Sequence, residues 1–299
     1  MKTTVSRTYI RSWLFVPADQ PAKMLKALSS GADAIIFDLE DSVAVINKKS
    51  ARDNLSTFLQ DHQHTENCPQ FFVRTNALDT PYIDDDLDRV MQGKPSGIVL
   101  PKSTSGKDVA HLSVKIAVQE AQNQLPDCST TILAIATETA QSIFGLGTYV
   151  NASARLMGMT WGVEDLSSDV GSLSPRDDAG NYTKPYELVR SLTLFGARAA
   201  GVQAIDGIEP DFRNENALKH ACVCALRDGF TGKLAIHPAQ VAIINEAFTP
   251  TEAMIKQARD IVAAFAAEPS CGVIALNGVM LDHPHLKRAQ KWLELAAQT

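Results

Sequence analysis

Short apolar runs recur along the chain, and each ends in polar or charged residues. Trp13 to Val16 leads into Pro17-Ala18-Asp19, Ala34 to Phe37 into Asp38-Leu39-Glu40-Asp41, Phe71 to Val73 into Arg74-Thr75-Asn76, and Ile98 to Leu100 into Pro101-Lys102. The series continues with Ile132 to Ala136 before Thr137-Glu138-Thr139, Leu156 to Met159 before Trp161 to Asp165, Val202 to Ile205 before Asp206-Gly207, and Leu234 to Ile236 before His237-Pro238. Between them, stretches such as Ala22 to Leu28, Val109 to Ala121, Tyr186 to Ala199 and Asn216 to Arg227 carry apolar residues at helical spacing. Eight strand-helix alternations predict an α/β fold with a parallel sheet, closed as a (β/α)8 TIM barrel over residues 1–249. A doubly wound open sheet is the alternative. In a barrel the active site lies at the C-terminal ends of the strands, where all these polar exits would converge.

Residues 250–299 read as an extension. It holds a helix near Glu252 to Ala267, a break at Pro269 to Gly272, the stretch Val273 to Gly278 and a helix near Pro284 to Ala297. Such an appendage could cover the barrel mouth or that of a neighbouring subunit. Ser172 to Lys184 is polar, rich in turn formers, and predicts a loop after the sixth strand. The 299 residues are 45% hydrophobic and 21% charged, an ordinary globular composition that excludes disordered and fibrous classes. A net charge of −6 argues against nucleic acid or an anionic membrane as the main partner. The five cysteines form neither an even disulfide set nor a C-x-x-C pair, and Cys222 and Cys224 read as packing within a helix. With a polar N-terminus and no apolar run near the roughly 18 residues of a membrane span, no signal peptide or membrane segment is expected, and the cytoplasm is the expected location.

The chemistry is concentrated at the strand exits. Glu138 and Asp165 follow the fifth and sixth strands, and strands about 4.8 Å apart allow two such carboxylates to converge on one ion. Oxygen ligands without His or Cys suit Mg²⁺, which keeps several waters and takes substrate oxygens. The competing reading has one of them capping a helix, as Thr137 or Ser167 also could. Glu164 competes with Asp165, because adjacent residues at a strand end face opposite ways. Asp38, Glu40 and Asp41 crowd three acids into four residues, which calls for a nearby cation unless they begin a helix. Arg74 ends the third strand and Lys102 the fourth. An arginine there suits bidentate capture of a carboxylate and stabilisation of an oxygen turning negative, or a salt bridge to Asp38 or Glu40. His237 is a hydrogen-bonded structural group or a base. The Walker loop, a strand-linked G-x-G-x-x-G and the G-x-S-x-G elbow are absent, which counts against nucleotide hydrolysis, nicotinamide chemistry and α/β-hydrolase catalysis.

Taken in order, Arg11-Ser12-Trp13-Leu14-Phe15-Val16-Pro17, Gly31 to Ala34 leading to Asp38-Leu39-Glu40-Asp41, Arg74-Thr75-Asn76, Pro101-Lys102, Glu138-Thr139-Ala140, Gly162 to Leu166, Ile236 to Gln240 and the terminal Gly278 to Ala289 form a pattern. It spans nearly the whole chain and resembles the citrate lyase β-subunit-like enzymes of the HpcH/HpaI aldolase superfamily, which includes malyl-CoA and citramalyl-CoA lyases. The resemblance implies Mg²⁺ held by Glu138 and Asp165, which selects Asp165 over Glu164. It implies that Arg74 contacts the 2-oxo acid and that Asp38 and Glu40 support the metal's waters. Ile236, His237 and Pro238 would lie against CoA, with Arg11 and Lys23 as further phosphate contacts. Asp282, before His283-Pro284, matches an aspartate that reaches a neighbouring subunit's site as acid or base, which implies a homo-oligomer, a trimer or hexamer. One departure from a common form of the pattern is Ala18-Asp19 after Pro17, where Gly and a polar residue are usual.

The implied reaction is cleavage of a 3-hydroxyacyl-CoA thioester bearing a carboxylate, of malyl, citramalyl or citryl type, to a 2-oxo acid and acetyl-CoA, or the reverse condensation. The alternatives are a citrate lyase subunit acting on a carrier-protein thioester, a malyl-CoA-type thioesterase, aldol cleavage without CoA, and a non-catalytic barrel that binds metal and acyl-CoA.

Overall fold

Eight strands pair in sequence order, all parallel, and the last hydrogen-bonds to the first. They are β1 (Ser12–Pro17), β2 (Ala34–Asp38), β3 (Gln70–Arg74), β4 (Gly97–Leu100), β5 (Thr131–Ile135), β6 (Leu156–Thr160), β7 (Gln203–Asp206) and β8 (Gly232–Ala235). The closed barrel excludes the open-sheet alternative. The computed structural model describes residues 9–62 and 68–298; residues 1–8, on which the expectation of no signal peptide rests, lie outside them.

Alternation along each strand separates two apolar layers. Trp13, Ala34, Ile36, Phe72, Val99, Leu133, Ile135, Ile205 and Leu234 fill the barrel interior, with Trp13 edge-on to Phe72 at 4.8 Å. Leu14, Ile35, Phe37, Val73, Ile98, Leu100 and their neighbours face the helices. A Cβ at Gly97 would collide with the Phe72 ring, so glycine there is what allows Phe72 to fill the interior.

The helices are α1 (Pro21–Ala27), α2 (Lys48–His62), α3 (Ile83–Val90), α4 (Gly106–Gln122), α5 (Ala140–Ile143), α6 (Val163–Asp169), α7 (Lys184–Ala199), α8 (Glu215–Asp228), α9 (Ala239–Phe248), α10 (Glu252–Ala267) and α11 (His283–Ala296). Local chemistry sets several of their starts. Ser105 and Asp108 form a reciprocal capping box at α4, and the Thr251 hydroxyl accepts from Met254 N at α10. Among the described residues no helix is long and apolar enough to cross a membrane. The stretch Ser172 to Lys184 is a loop apart from one isolated bridge between Arg176 and Tyr182.

The extension has its own small core of Ala258, Ile261, Phe265, Ile274, Leu281 and Ala289. Between its helices runs a hairpin of β9 (Val273–Leu276) and β10 (Val279–Asp282), joined by Asn277 and Gly278 with φ of 52° and 79°. Two left-handed residues make the turn that suits the strand twist, and Asn-Gly is the sequence that favours it. Helix α11 packs Trp292 and Leu295 toward Tyr9, Arg11, Phe230 and Thr231, around a cavity of about 320 Å³. Those partners precede β1 and β8, so the extension sits at the foot of its own barrel. Covering its own mouth is thereby ruled out.

The barrel wall also buries charge. The guanidinium of Arg155, just before β6, makes two 2.6 Å bonds to Glu120 of α4, and both side chains are 2% exposed. Glu120 further accepts from Thr130 N at 2.8 Å. Removing one partner leaves the other charge buried and unpaired, so Arg155→Met is expected to cost about 3–5 kcal/mol of stability. Urea unfolding of the variant against the parent measures it; a loss below about 1 kcal/mol would contradict this account.

Candidate active site

The strand register brings the mouth residues to one level. Pro17 pairs with Asp38 across β1 and β2, and Asp38 with Arg74 across β2 and β3. The Arg74 side chain grips Asp38 by two 2.7 Å hydrogen bonds, from Nε to Oδ1 and from Nη2 to Oδ2, while Nη1 lies 3.1 Å from Glu40 Oε2. Its guanidinium stands over the Phe15 ring, 5.0 Å from the centroid. The salt bridge to Asp38 that the sequence allowed is present, and Arg74 also lines the mouth cavity, so the pairing and a role toward substrate are compatible. The Asp38-to-Asp41 cluster does not begin a helix, since α2 starts only at Lys48.

Lys102 extends the chain of charge. Its Nζ is 2.6 Å from Glu40 Oε1, 3.5 Å from Asp41 and 3.7 Å from Asp165 Oδ1. Its backbone is left-handed, with φ of 51°, a conformation costing a non-glycine residue about 1–2 kcal/mol. That turn aims the Lys102 N–H at Glu138 Oε2, in a short hydrogen bond. Sequence reasoning placed Lys102 at the mouth but gave it no role. It missed Lys48 as well. Buried beneath the loop after β2, the Lys48 ammonium donates to Leu39 O, Glu40 O and Asn76 Oδ1 at 2.9, 3.0 and 2.6 Å. A lysine at a helix start is usually solvated, so the sequence carried no signal for it.

Glu138 follows β5 and is 2% exposed. Thr139 caps helix α5 and Gly162 occupies the N-cap position of α6, so Glu138 caps neither. A Cβ on Gly162 would come 2.7 Å from Glu138 Cγ, so the glycine makes room for this carboxylate. Glu164 and Asp165 sit in the first turn of α6, one turn past the strand end where they were expected. Both line the mouth cavity of about 360 Å³, together with Asp38, Asp41, Arg74, Glu138 and Ile236.

Electrostatics sort these acids. Burial opposes the Asp38 carboxylate, but the charge and double hydrogen bond of Arg74 outweigh it and hold its pKa below the ordinary range. For Glu40, burial wins over Arg74 and Lys102, and its pKa is raised. Burial, with repulsion from Glu40 and Asp165, pushes Glu138 up to about 8, against the pull of the Lys102 N–H and Arg74. Among the described residues no three His, Cys, Asp or Glu side chains form a ready metal cage. A buried carboxylate crowded by like charge, with Asp165 on the same cavity, instead fits a hard cation that completes its shell with water and substrate oxygens. Glu138 and Asp165 are the residues that would hold it.

The remaining expectations divide. Ile236 N and His237 N donate to Gln240 Oε1 at 2.8 and 3.2 Å, and His237 stacks on Phe212 at 4.5 Å, so Ile236, His237 and Pro238 form one side of the rim. Lys23 is exposed on α1 and does not line the cavity. Arg11 is at the other end of the barrel. It precedes β1, binds both Asp33 oxygens at 2.7 Å and Thr249 at 2.7 Å, and cannot touch a ligand at its own mouth. Asp282 starts α11 in the extension, pairs with His285 at 2.5 Å, and is likewise away from its own chain's mouth. Ala18 needs no glycine: it is buried, its N–H donates to Asp38 O at 3.0 Å, and its φ is not left-handed.

A proton on Glu138 competes with a cation. Apparent Mg²⁺ affinity should therefore rise by up to about tenfold per pH unit from pH 6 and level off above about 8. Without divalent ions the sign reverses for stability. A folded pKa raised from 4.5 to about 8 stabilises fully below 4.5, and that contribution is lost as pH rises through 8. Calorimetric titration of Mg²⁺ across this range, with melting in EDTA alongside, checks both; a pH-independent affinity would contradict them.

Comparison with known proteins agrees with the geometry. The model of the HpcH/HpaI aldolase/citrate lyase family matches residues 11–238. Citrate lyase subunit beta of Leuconostoc mesenteroides is 32% identical over 290 residues, 96% of this chain and 93% of that protein. The mitochondrial citramalyl-CoA lyase of Rattus norvegicus is 31% identical over 304 residues, 96% of this chain and 86% of that protein. A crystal structure of CitE from Mycobacterium tuberculosis with magnesium, acetoacetate and coenzyme A superposes with a TM-score of 0.77 at 31% identity, covering 97% of this chain and 99% of that one. With a matching family model over most of its length and a barrel mouth built from that model's span, the chain belongs to the HpcH/HpaI aldolase/citrate lyase family.

Proposed function

We propose that this chain is a Mg²⁺-dependent carbon-carbon lyase. Its substrate is a 3-hydroxyacyl-CoA thioester with a free carboxylate, cleaved to a 2-oxo acid and acetyl-CoA, and the reverse condensation runs at the same site. The observation that carries the reading is the meeting of Glu138, Asp165 and Arg74 on one cavity at the barrel mouth. A bound Mg²⁺ would supply Lewis acidity toward the carboxylate and hydroxyl oxygens of the substrate.

In cleavage the hydroxyl proton passes to the Asp282 carboxylate of a neighbouring copy and the oxygen it leaves becomes the new carbonyl. The bond between the hydroxyl carbon and the thioester's α-carbon breaks, its electron pair passes to the thioester as an enolate, and a proton then adds at that carbon. Arg74 stabilises the oxygen on which negative charge builds, and Asp38 and Glu40 hold the guanidinium in place for it. Lys102 fixes Glu40, and through its backbone Glu138. Ile236, His237 and Pro238 contact the CoA, with Lys23 on the same side of the barrel. Asp282 of the neighbouring copy then returns that proton to the enolate carbon. Its place in an extension that leaves from the foot of its own barrel supports action in trans.

With acetyl-CoA, Mg²⁺ and a 2-oxo acid, the purified chain should form a product whose mass is that of the condensed thioester. Glu138→Gln and Asp165→Asn should each lower the rate at least about 100-fold. Release of free CoA from the hydroxyacyl thioester without a 2-oxo product would indicate a thioesterase instead. Turnover only with a carrier-protein thioester would mark a subunit of a larger complex.

Action in trans gives a separate check. Mixing Asp282→Asn protein with Glu138→Gln protein should restore activity that neither has alone, because a mixed oligomer contains sites with both groups intact. No recovery on mixing, with oligomers shown to exchange by mass spectrometry, would place Asp282 outside the site.

A further inference from the structure

The cavity of about 320 Å³ between helix α11 and the foot of the barrel is opposite in sign to the mouth. Among the described residues its wall contains Arg11, Arg198, Arg227, Arg288 and Lys291 against one acid, Asp228. Asp228 is already bound to Arg190 at 2.6 Å, and Arg11 to Asp33 at 2.7 Å. Arg198, Arg227, Arg288 and Lys291 remain, and none of these four has a carboxylate partner among the described residues. Arg198 donates to Gly229 O in a short hydrogen bond, and Arg227 lies 3.6 Å from the Cys224 sulfur. Partial burial lowers the Arg198 pKa with no carboxylate to oppose it. Residues 1–8, which precede Tyr9, contain Lys2 and Arg7 and no acid, so they bring no countercharge. The chain carries a net charge of −6, so acids to pair with these cations were available in number, yet the cavity has four cations unpaired. Like charges gathered around one cavity repel, and an anion bound among them removes that repulsion.

Aromatic rings share the same wall. Tyr9, Phe230 and Trp292 line the cavity, with Lys291 Nζ over the Tyr9 ring at 4.6 Å and the Arg190 guanidinium over the Phe230 ring at 4.5 Å. Guanidinium forks beside flat ring faces suit a planar ring that carries phosphate, since the ring can stack while the phosphate oxygens accept paired hydrogen bonds from arginine. The volume lies within the range of small-molecule sites. Barrel and extension contribute separately: Arg198, Arg227 and Phe230 come from the barrel, Arg288, Lys291 and Trp292 from α11, so one ligand would touch both.

We infer that this cavity is a second ligand site, for an organic phosphate of the nucleoside diphosphate class, with the phosphates held among Arg198, Arg227, Arg288 and Lys291 and the ring against Tyr9 and Trp292. It lies at the opposite end of the barrel from Glu138 and Asp165 and does not depend on the lyase reading. A bound anion ties α11 to the barrel. Because that helix begins directly after Asp282, occupancy of the foot also restrains the aspartate at its start.

Calorimetric titration of the full chain in metal-free buffer, with ADP, pyrophosphate and adenosine as probes, tests the assignment. ADP should bind at least about fivefold more tightly than pyrophosphate, which lacks the ring. Adenosine lacks the charge and should bind weakest, and added KCl should weaken ADP binding. Arg288→Glu combined with Lys291→Glu should lower ADP affinity at least about 100-fold, and Arg198→Gln at least about tenfold. The two variants alter different helices, so if one fails to fold the other still decides. Tryptophan fluorescence should change on ADP binding, and the change should vanish in Trp292→Phe although Trp13 and Trp161 remain. ADP affinity unchanged in the charge variants would put ADP elsewhere, and no binding at millimolar ADP would leave the cavity without this ligand; either result overturns the inference. Pyrophosphate bound as tightly as ADP overturns the part assigned to the rings. None of these readouts uses turnover, so this inference and the lyase reading stand or fall separately.

Discussion

The double hydrogen bond between Arg74 and Asp38 is the contact on which the mouth depends. It joins two neighbouring strand ends at the same register level and converts an isolated guanidinium and a buried carboxylate into a fixed, nearly neutral unit. Glu40 is shared between Arg74 and Lys102, and Lys102 reaches Asp165 and, through its peptide, Glu138. Because Asp38, Glu40, Asp41 and Asp165 share two cations, Arg74 and Lys102, the assembly as a whole remains short of positive charge. A divalent cation held by Glu138 and Asp165 would offset that shortage.

The opposite end of the barrel performs a different task. There Arg11 pairs with Asp33, and Arg155 with Glu120. These bonds tie down the starts of the strands. The extension attaches at this end, with its own small core, so the loops at the mouth are left open toward solvent and toward other molecules.

Much of this was legible in the sequence, for identifiable reasons. Strand runs such as Ala34 to Phe37 are continuous apolar stretches buried on both faces, and all eight expected runs match observed strands to within about two residues. Polar residues at the exits had to converge once the barrel closed, which brought Asp38, Arg74, Glu138 and Asp165 together. Arg11 was misassigned because its motif position adjoins β1 but precedes it, and in a parallel barrel the two ends of a strand are on opposite sides of the molecule. The β9–β10 hairpin went unread although Asn277-Gly278 between apolar stretches signals it. Lys48 and the backbone role of Lys102 could not be read at all. One depends on a long side chain finding three distant oxygens, the other on a φ angle that residue type does not announce.

That φ angle divides one residue into two independent functions. The ammonium of Lys102 serves Glu40, whereas the peptide N–H serves Glu138. Drift at this position can therefore erase the first contact while the second survives in every residue but proline, and asparagine or glycine would hold the left-handed turn with less strain. Among homologous chains, the identity of the side chain at 102 would trace the history of the acidic loop after β2, while the absence of proline would trace that of the metal side.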